Sequence, residues 1–156
     1  MKRGPAERDA FVAEIARHGL GGLGPTREQL RALVEADRDG PLHFLNLLAY
    51  HDAARYPAGH PLAGRGGSGA EAYARYGAVA VRHVAQRGGR LALWNAVAQQ
   101  IVGADAGWHH VAVMEYPSTE AFLDMLRDPD YSAALVHRDA GLAKTEIVVT
   151  RPLLQV

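Results

Sequence analysis

Three side chains have types and settings that chemistry can use. Asn46 stands at the centre of "LHFLNLLAYHD", residues 42–52, a stretch otherwise apolar enough for a buried strand. Burying an amide without partners costs about 1–3 kcal/mol, so a protein group, a water or a ligand has to satisfy it. His110 lies in "WHHVAVMEY", and an imidazole near its ordinary pKa serves as general acid or base close to neutrality. Arg138 lies in "HRDAG" at the end of an expected helix. A basic residue there complements the helix C-terminus, while its planar fork also suits a substrate carboxylate or enolate. Oriented donors and one proton carrier in a dry site are sufficient for enolisation, cyclisation or isomerisation of an organic acid.

Alternation along a strand says which neighbours these groups have. Phe44, Asn46, Leu48 and Tyr50 share one face of residues 42–50, and His43, Leu45, Leu47 and Ala49 the other. Leu45 and Leu47 are expected to pack under helices, leaving Asn46 and Tyr50 on a mixed, partly polar pocket face. By the same rule Val111 and Val113 are expected beneath the helices, with His110, Ala112 and Met114 on the open side. Trp94 and Asn95 are adjacent and face opposite ways, so at most one of them meets a pocket. Trp94 can stack on a flat substrate or fill an interface. Tyr73 and Tyr76, in the first turns of a helix, are either core tyrosines or pocket walls. Tyr50, Tyr73 and Trp94 are thus the candidate substrate-binding residues.

The elements that would position these groups follow from caps and periodicity. Two helices open the chain. The first carries the stripe Phe11, Val12 and Ile15 and ends in "HGLGGLG"; the second starts at a capping box of Thr26 and Gln29. They form an extension over residues 1–40, read as packing, dimer arm or lid. From Pro41 the pattern changes: a strand over 42–50, then a Gly- and Pro-rich segment expected to be mobile or substrate-facing. A helix opens at the Ser68–Glu71 box and ends at Gly88–Gly89. Strands in "RLALWNAVAQQIVG" and "WHHVAVMEY" come next, then a helix from Ser118 and another with Asp128 as cap and Pro129 in its first turn. "KTEIVVTRPLL" is the last strand. The order over residues 41–156 is β-α-β-β-α-β, the split pattern of a ferredoxin-like α+β domain with an antiparallel four-stranded sheet.

Composition excludes several classes. The 156 residues are 48% apolar and 22% charged, as in ordinary globular domains, and seventeen basic residues balance seventeen acidic ones. That balance carries no nucleic-acid or anionic-membrane footprint. With no cysteine, disulfides and thiolate chemistry are out. His43, His51 and His60 share a region, but no HExxH, His-x-His or tight carboxylate cluster is present, so no metal site is expected. No GxSxG elbow supports a serine nucleophile. "MKRGPAERDAFVAEIARHG" has no apolar signal-like core, and a cytoplasmic protein is expected.

"FLNLLAYHDAARY", "GAEAYARYG", "GGRLALWN", "GWHHVAVMEYPSTEAFLDMLRDPDY" and "HRDAGL" together resemble the uncharacterised-domain family numbered 1330, over roughly residues 41–152. The resemblance implies a dimeric α+β barrel, in which two ferredoxin-like subunits pair through their sheets. It also raises Arg138, since a basic residue in that setting is typical of the family. The wider superfamily includes cofactor-free monooxygenases, polyketide cyclases, lactone isomerases and heme enzymes, an analogy of fold alone.

The resulting expectation is a cofactor-independent enzyme for an apolar or aromatic organic acid or polyketide-like substrate. His110, Asn46 and Arg138 would be catalytic, in a cavity associated with a homodimer. A cofactor-free monooxygenase of a phenol and a non-catalytic binding or structural dimer are the alternatives.

Overall fold

The computed structural model describes residues 3–18 and 20–154. Met1, Lys2, Gly19, Gln155 and Val156 lie outside the described residues, and with them the outer ends of the two expected regions and one glycine of "HGLGGLG". Among the described residues five helices and four strands follow in the order α1 (Pro5–Arg17), α2 (Arg27–Ala36), β1 (Leu42–Tyr50), α3 (Gly69–Gln86), β2 (Arg90–Ala96), β3 (His110–Tyr116), α4 (Thr119–Leu126), α5 (Pro129–Gly141) and β4 (Leu142–Thr150).

Local sequence accounts for most of these bounds. Thr26 and Gln29 bond reciprocally, Gln29 N–H to Thr26 Oγ1 at 3.1 Å and Thr26 N–H to Gln29 Oε1 at 2.9 Å. Ser68 and Glu71 do the same at 3.1 and 2.7 Å. Each box satisfies two helix-start donors that would otherwise be orphaned. Those hydrogen bonds also hold the Glu71 carboxyl below its ordinary pKa. Ser118 and Asp128 cap α4 and α5, accepting from Ala121 N–H at 3.2 Å and Asp130 N–H at 3.0 Å.

The strands form one antiparallel sheet in the order β2-β3-β1-β4, the ferredoxin-like arrangement with β1 and β3 central. The helices that connect the strands cover one face. Leu42, Phe44 and Tyr116 meet Tyr76, Ala80 and Val84 of α3, and Leu123, Leu126, Tyr131 and Leu135 of α4 and α5, in a single core. The extension joins it: Phe11, Val12 and Ile15 of α1 and Leu30 and Val34 of α2 are buried in the same cluster. Arg3 grips Glu120 with two 2.7 Å bonds, and Arg127 reaches Glu14 at 2.9 Å, so α1 is also tied to α4 and its C-terminal cap by ion pairs.

The sheet is covered on the face opposite to the one expected. Leu45, Leu47, Val111 and Val113 alternate with the core residues and point away from the helices, while Asn46, Ala112 and Met114 lie beneath them. The groupings by alternation hold and the assignment of sides is reversed. The reason is that both faces of β1 are largely apolar, so hydrophobicity alone does not tell which one receives the helices.

Gly69 and Gly141 bring α3 and α5 together at the edge of the sheet. A methyl group at either would collide with backbone, Gly69 against His51 and Gly141, and Gly141 against Gly69. The space is taken by hydrogen bonds, His51 N–H to Gly141 O at 2.9 Å and Gly69 N–H to His51 O at 3.0 Å. The segment after β1 is pinned as well. Arg55 N–H bonds Ala140 O at 2.8 Å, Tyr56 Oη meets His137 Nδ1 at 2.7 Å, and Arg75 reaches Gly66 O at 2.8 Å. It wraps the helices, and none of residues 51–67 lines the cavity between sheet and helices. Among the described residues no helix is long and apolar enough to cross a membrane.

Candidate functional site: a cavity between sheet and helices

A cavity of ≈ 540 Å³ separates the sheet from α3 and α5, within the 300–1,000 Å³ range usual for small-molecule sites. Alternation on the strands brings Phe44, Asn46, Ala112, Met114 and Ile147 to its floor. Helical spacing supplies the roof. Tyr73, Tyr76 and Ala80 recur along one face of α3, and Tyr131, Leu135 and Arg138 along one face of α5, as i, i+3, i+4 and i+7 positions do. Leu20, Gly24 and Pro25, between α1 and α2, close part of the rim.

Arg138 is the exceptional wall residue. The residue is only 5% exposed, and Nη1 is buried with no hydrogen-bond partner among the described residues. A buried cation without a counter-charge costs several kcal/mol, so the position is hard to explain by packing. The C-terminal-dipole explanation does not remove that cost, because the orphaned nitrogen belongs to the fork itself.

Asn46 is half-buried opposite. Its Nδ2 donates to Phe44 O at 2.8 Å and, more weakly, to Ala112 O at 3.5 Å. Two carbonyl neighbours require the NH₂ end there, which settles the orientation of the amide. Its donors are thus spent on strand carbonyls, leaving Oδ1 as an acceptor.

Aromatic residues make up much of the remaining wall. Tyr73 lies parallel to Trp94, centroids 6.3 Å apart and planes at 4°. Trp94, 46% exposed on the edge strand β2, is the member of the Trp94–Asn95 pair that turns to the cavity. The Tyr76 and Tyr131 hydroxyls meet at 2.8 Å. Burial raises the Tyr73 and Tyr131 phenols above their ordinary range, keeping both as neutral hydrogen-bond donors near pH 7.

His110 and Tyr50 sit beyond the end of this wall. Tyr50 Oη and His110 Nδ1 are 2.7 Å apart, and His110 packs against Trp94 with centroids 4.7 Å apart. Burial, with a smaller effect of His109, lowers the His110 pKa below its ordinary value. Burial raises the Tyr50 phenol. The pair is thus a neutral imidazole beside a neutral phenol, one residue removed from the cavity through Trp94 and Tyr73. Of the six candidates, the fold gathers Asn46, Arg138, Tyr73 and Trp94 on the cavity, while His110 and Tyr50 form a dyad beside it.

Tyr131 was missed by sequence reasoning, although it precedes Arg138 by seven residues, two helical turns on the same face. The rim residues Leu20 and Pro25 carried no such signal. Among the described residues no group of three or more His, Asp or Glu side chains is placed to hold a metal ion.

A ferredoxin-like α+β sheet with helices on one face, enclosing an aromatic cavity with a buried guanidinium, is the class of protein that fold and site define. The chain belongs to the family described as Domain of unknown function (DUF1330), which its residues 68–152 match. It is similar to the crystal structure of methylated RPA0582 protein, with 36% identity and a TM-score of 0.77, over 86% of this chain and 97% of that one. The RPA0582 protein of unknown function from Rhodopseudomonas palustris, a structural genomics target, is 34% identical with a TM-score of 0.76, over 86% and 99%. No curated protein matches the chain.

Proposed function

We propose that this protein binds an apolar or aromatic organic acid in the sheet–helix cavity and promotes a proton-transfer reaction on it, an enolisation, isomerisation or cyclisation. The observation that carries the reading is Arg138, a buried guanidinium with an unpartnered nitrogen on the wall of a largely apolar chamber. Substrate carboxylate is the natural counter-charge, since the planar fork matches it bidentately. Asn46 Oδ1 accepts from a hydroxyl or amino group of the substrate, and Tyr73 donates to charge that develops on a carbonyl oxygen. Trp94 and Tyr73 hold a flat portion by stacking. His110, paired with Tyr50, is the proton carrier, acting from beyond the Trp94 side of the cavity. A phenolic substrate held in the same way would form an anion able to react with dioxygen, the monooxygenase form of this reading.

The position of His110 outside the cavity lining favours a second reading, a non-catalytic binder of the same acids. Aromatic carboxylates titrated against the protein by calorimetry, with their α-protons followed by NMR in D₂O, separate the two. Binding with α-proton exchange that is lost in His110→Gln supports the enzyme. Binding without exchange leaves the binder, and no binding removes both.

We further propose a homodimer through the uncovered sheet face, as the family resemblance implies. Leu45, Leu47, Val111 and Val113 lie there with the exposed Leu93 and Val148, a contiguous apolar patch of the kind that marks interaction surfaces.

A further inference from the structure

We infer that the acid held at Arg138 is branched, with its carboxylate between two apolar arms, an aromatic one in the first cavity and an aliphatic one in a second. This deepens the proposed function and rests on Arg138 binding a carboxylate. The second cavity, ≈ 490 Å³, runs between α2 and the β4 edge of the sheet. Arg138 borders both spaces, as do Gly24, Pro25, Phe44, Phe122 and Ile147. Arg138 therefore lies where the two spaces adjoin. A straight-chain acid with a terminal carboxylate would fill one cavity and leave the other empty.

The walls differ in kind. The first chamber presents Tyr73, Tyr76, Trp94 and Tyr131. The second presents Leu30 and Leu33 from α2, with Ile147 and Val149 from β4. Its other polar residues offer no second cation for an anion. Thr145 Oγ1 spends its hydrogen on Leu47 O at 2.9 Å, Glu146 is itself acidic, and Gln29, whose Oε1 accepts the Thr26 N–H at 2.9 Å, brings only a neutral amide. Among the described residues that line this space Arg138 is the one cation, so the carboxylate is matched there, and the arm that extends past it towards Leu30 and Leu33 is hydrocarbon. The extension formed by α1 and α2 thereby acquires a use in substrate choice, since it builds one wall of the second space.

Calorimetry with phenylacetate, 2-phenylbutyrate and 2-phenylhexanoate tests this on the full chain. Affinity is expected to rise by about fourfold for each methylene that the second cavity buries. Leu33→Trp, and separately Val149→Trp on the more exposed strand, fill that cavity. Either is expected to abolish the gain along the series while leaving phenylacetate binding as in the parent, which also reports that the variant is folded. Equal affinities along the series in the parent, or a gain that survives both tryptophans, would overturn the two-armed ligand while leaving Arg138 as an anion site. Failure of every acid to bind the parent protein would instead overturn the carboxylate reading on which it rests.

Discussion

Arg138 and Asp139 are neighbours on α5 with opposite charges, and they turn away from each other. Asp139 Oδ2 accepts the Gly22 N–H at 2.9 Å, whereas Arg138 turns into the cavity with Nη1 unpartnered. Consecutive helical residues point about 100° apart, so the nearest carboxylate in sequence is unavailable to neutralise the guanidinium. It holds the 20–25 segment over the cavity rim instead. The same two positions thus keep a cation free and a wall in place.

Arg138→Met is expected to separate stability from binding. Removing an unpaired buried charge while keeping most of the volume should raise the stability of the ligand-free protein by about 1–3 kcal/mol. The same change should abolish the stabilisation that added aromatic carboxylates give the parent. Urea denaturation with and without ligand reads both effects, and a destabilised variant that still binds the acids would contradict the role given to Arg138.

His110 should titrate below the ordinary imidazole value of about 6.5, because burial disfavours its charged form. Its neutral state then contributes stability that is complete above pH 6.5 and is lost as pH falls through the lowered folded value. Proton abstraction by neutral His110 should follow the same limb, holding its rate near pH 6.5 and declining below the His110 midpoint. An NMR titration of the imidazole protons beside a pH–rate profile checks both, and a midpoint above 6.5 would refute the burial argument.

The α3–α5 junction should reject the smallest possible side chain. Gly141→Ala puts a methyl group against Gly69 backbone and the start of Tyr73, and overpacking of this kind costs about 1–3 kcal/mol. Thermal melts are expected to fall accordingly, whereas Gly77→Ala, with open space around its Cβ position, should not be destabilising.

Acid should weaken the junction of α3 with α4 and α5. His83 Nε2 and Arg82 both meet Asp130 at 2.7 Å, and Arg87 reaches Asp124 and Asp128 at 2.7 and 3.1 Å. Hydrogen bonds from His83 and Arg82 lower the Asp130 pKa, and those from Arg87 and Asp130 N–H lower Asp128 against the opposing effect of burial. Depressed carboxyls contribute stability above their unfolded value of 3.8 and lose it as pH drops through the folded one. Melting temperatures should therefore fall more steeply below pH 4 in the parent than in Asp130→Asn.

The proposed sheet-to-sheet dimer has a simple disruption. Leu47→Glu places a charge on the uncovered face, away from the cavity, and sedimentation should shift from dimer to monomer with carboxylate binding retained. A parent protein that sediments as a monomer at all concentrations would sink the pairing.

Much of the fold is legible in local residues. Thr26 with Gln29, Ser68 with Glu71, and Asp128 before Pro129 mark helix starts because their side chains satisfy backbone donors within three residues. The strand at 42–50 and the βαββαβ order follow from apolar runs and the breaks between them. Period-two alternation also groups Asn46 with Phe44 and Leu48, and His110 with Ala112 and Met114, and those groupings hold in the tertiary structure.

What the sequence by itself determined, then, is which residues travel together along each strand and helix, since those relations depend only on backbone geometry. Only the tertiary structure decided which face the helices cover. Leu45 and Leu47 are as fit for burial as Phe44 and Leu48, and the choice belongs to how the crossovers pack back on the sheet. It also decided that Arg138 ends in a cavity with no counter-charge among the described residues and that His110 stops one aromatic layer short of it. Both depend on residues far apart in sequence, Asn46, Tyr73, Trp94 and Tyr131, meeting across two layers, and no local pattern carries such distances.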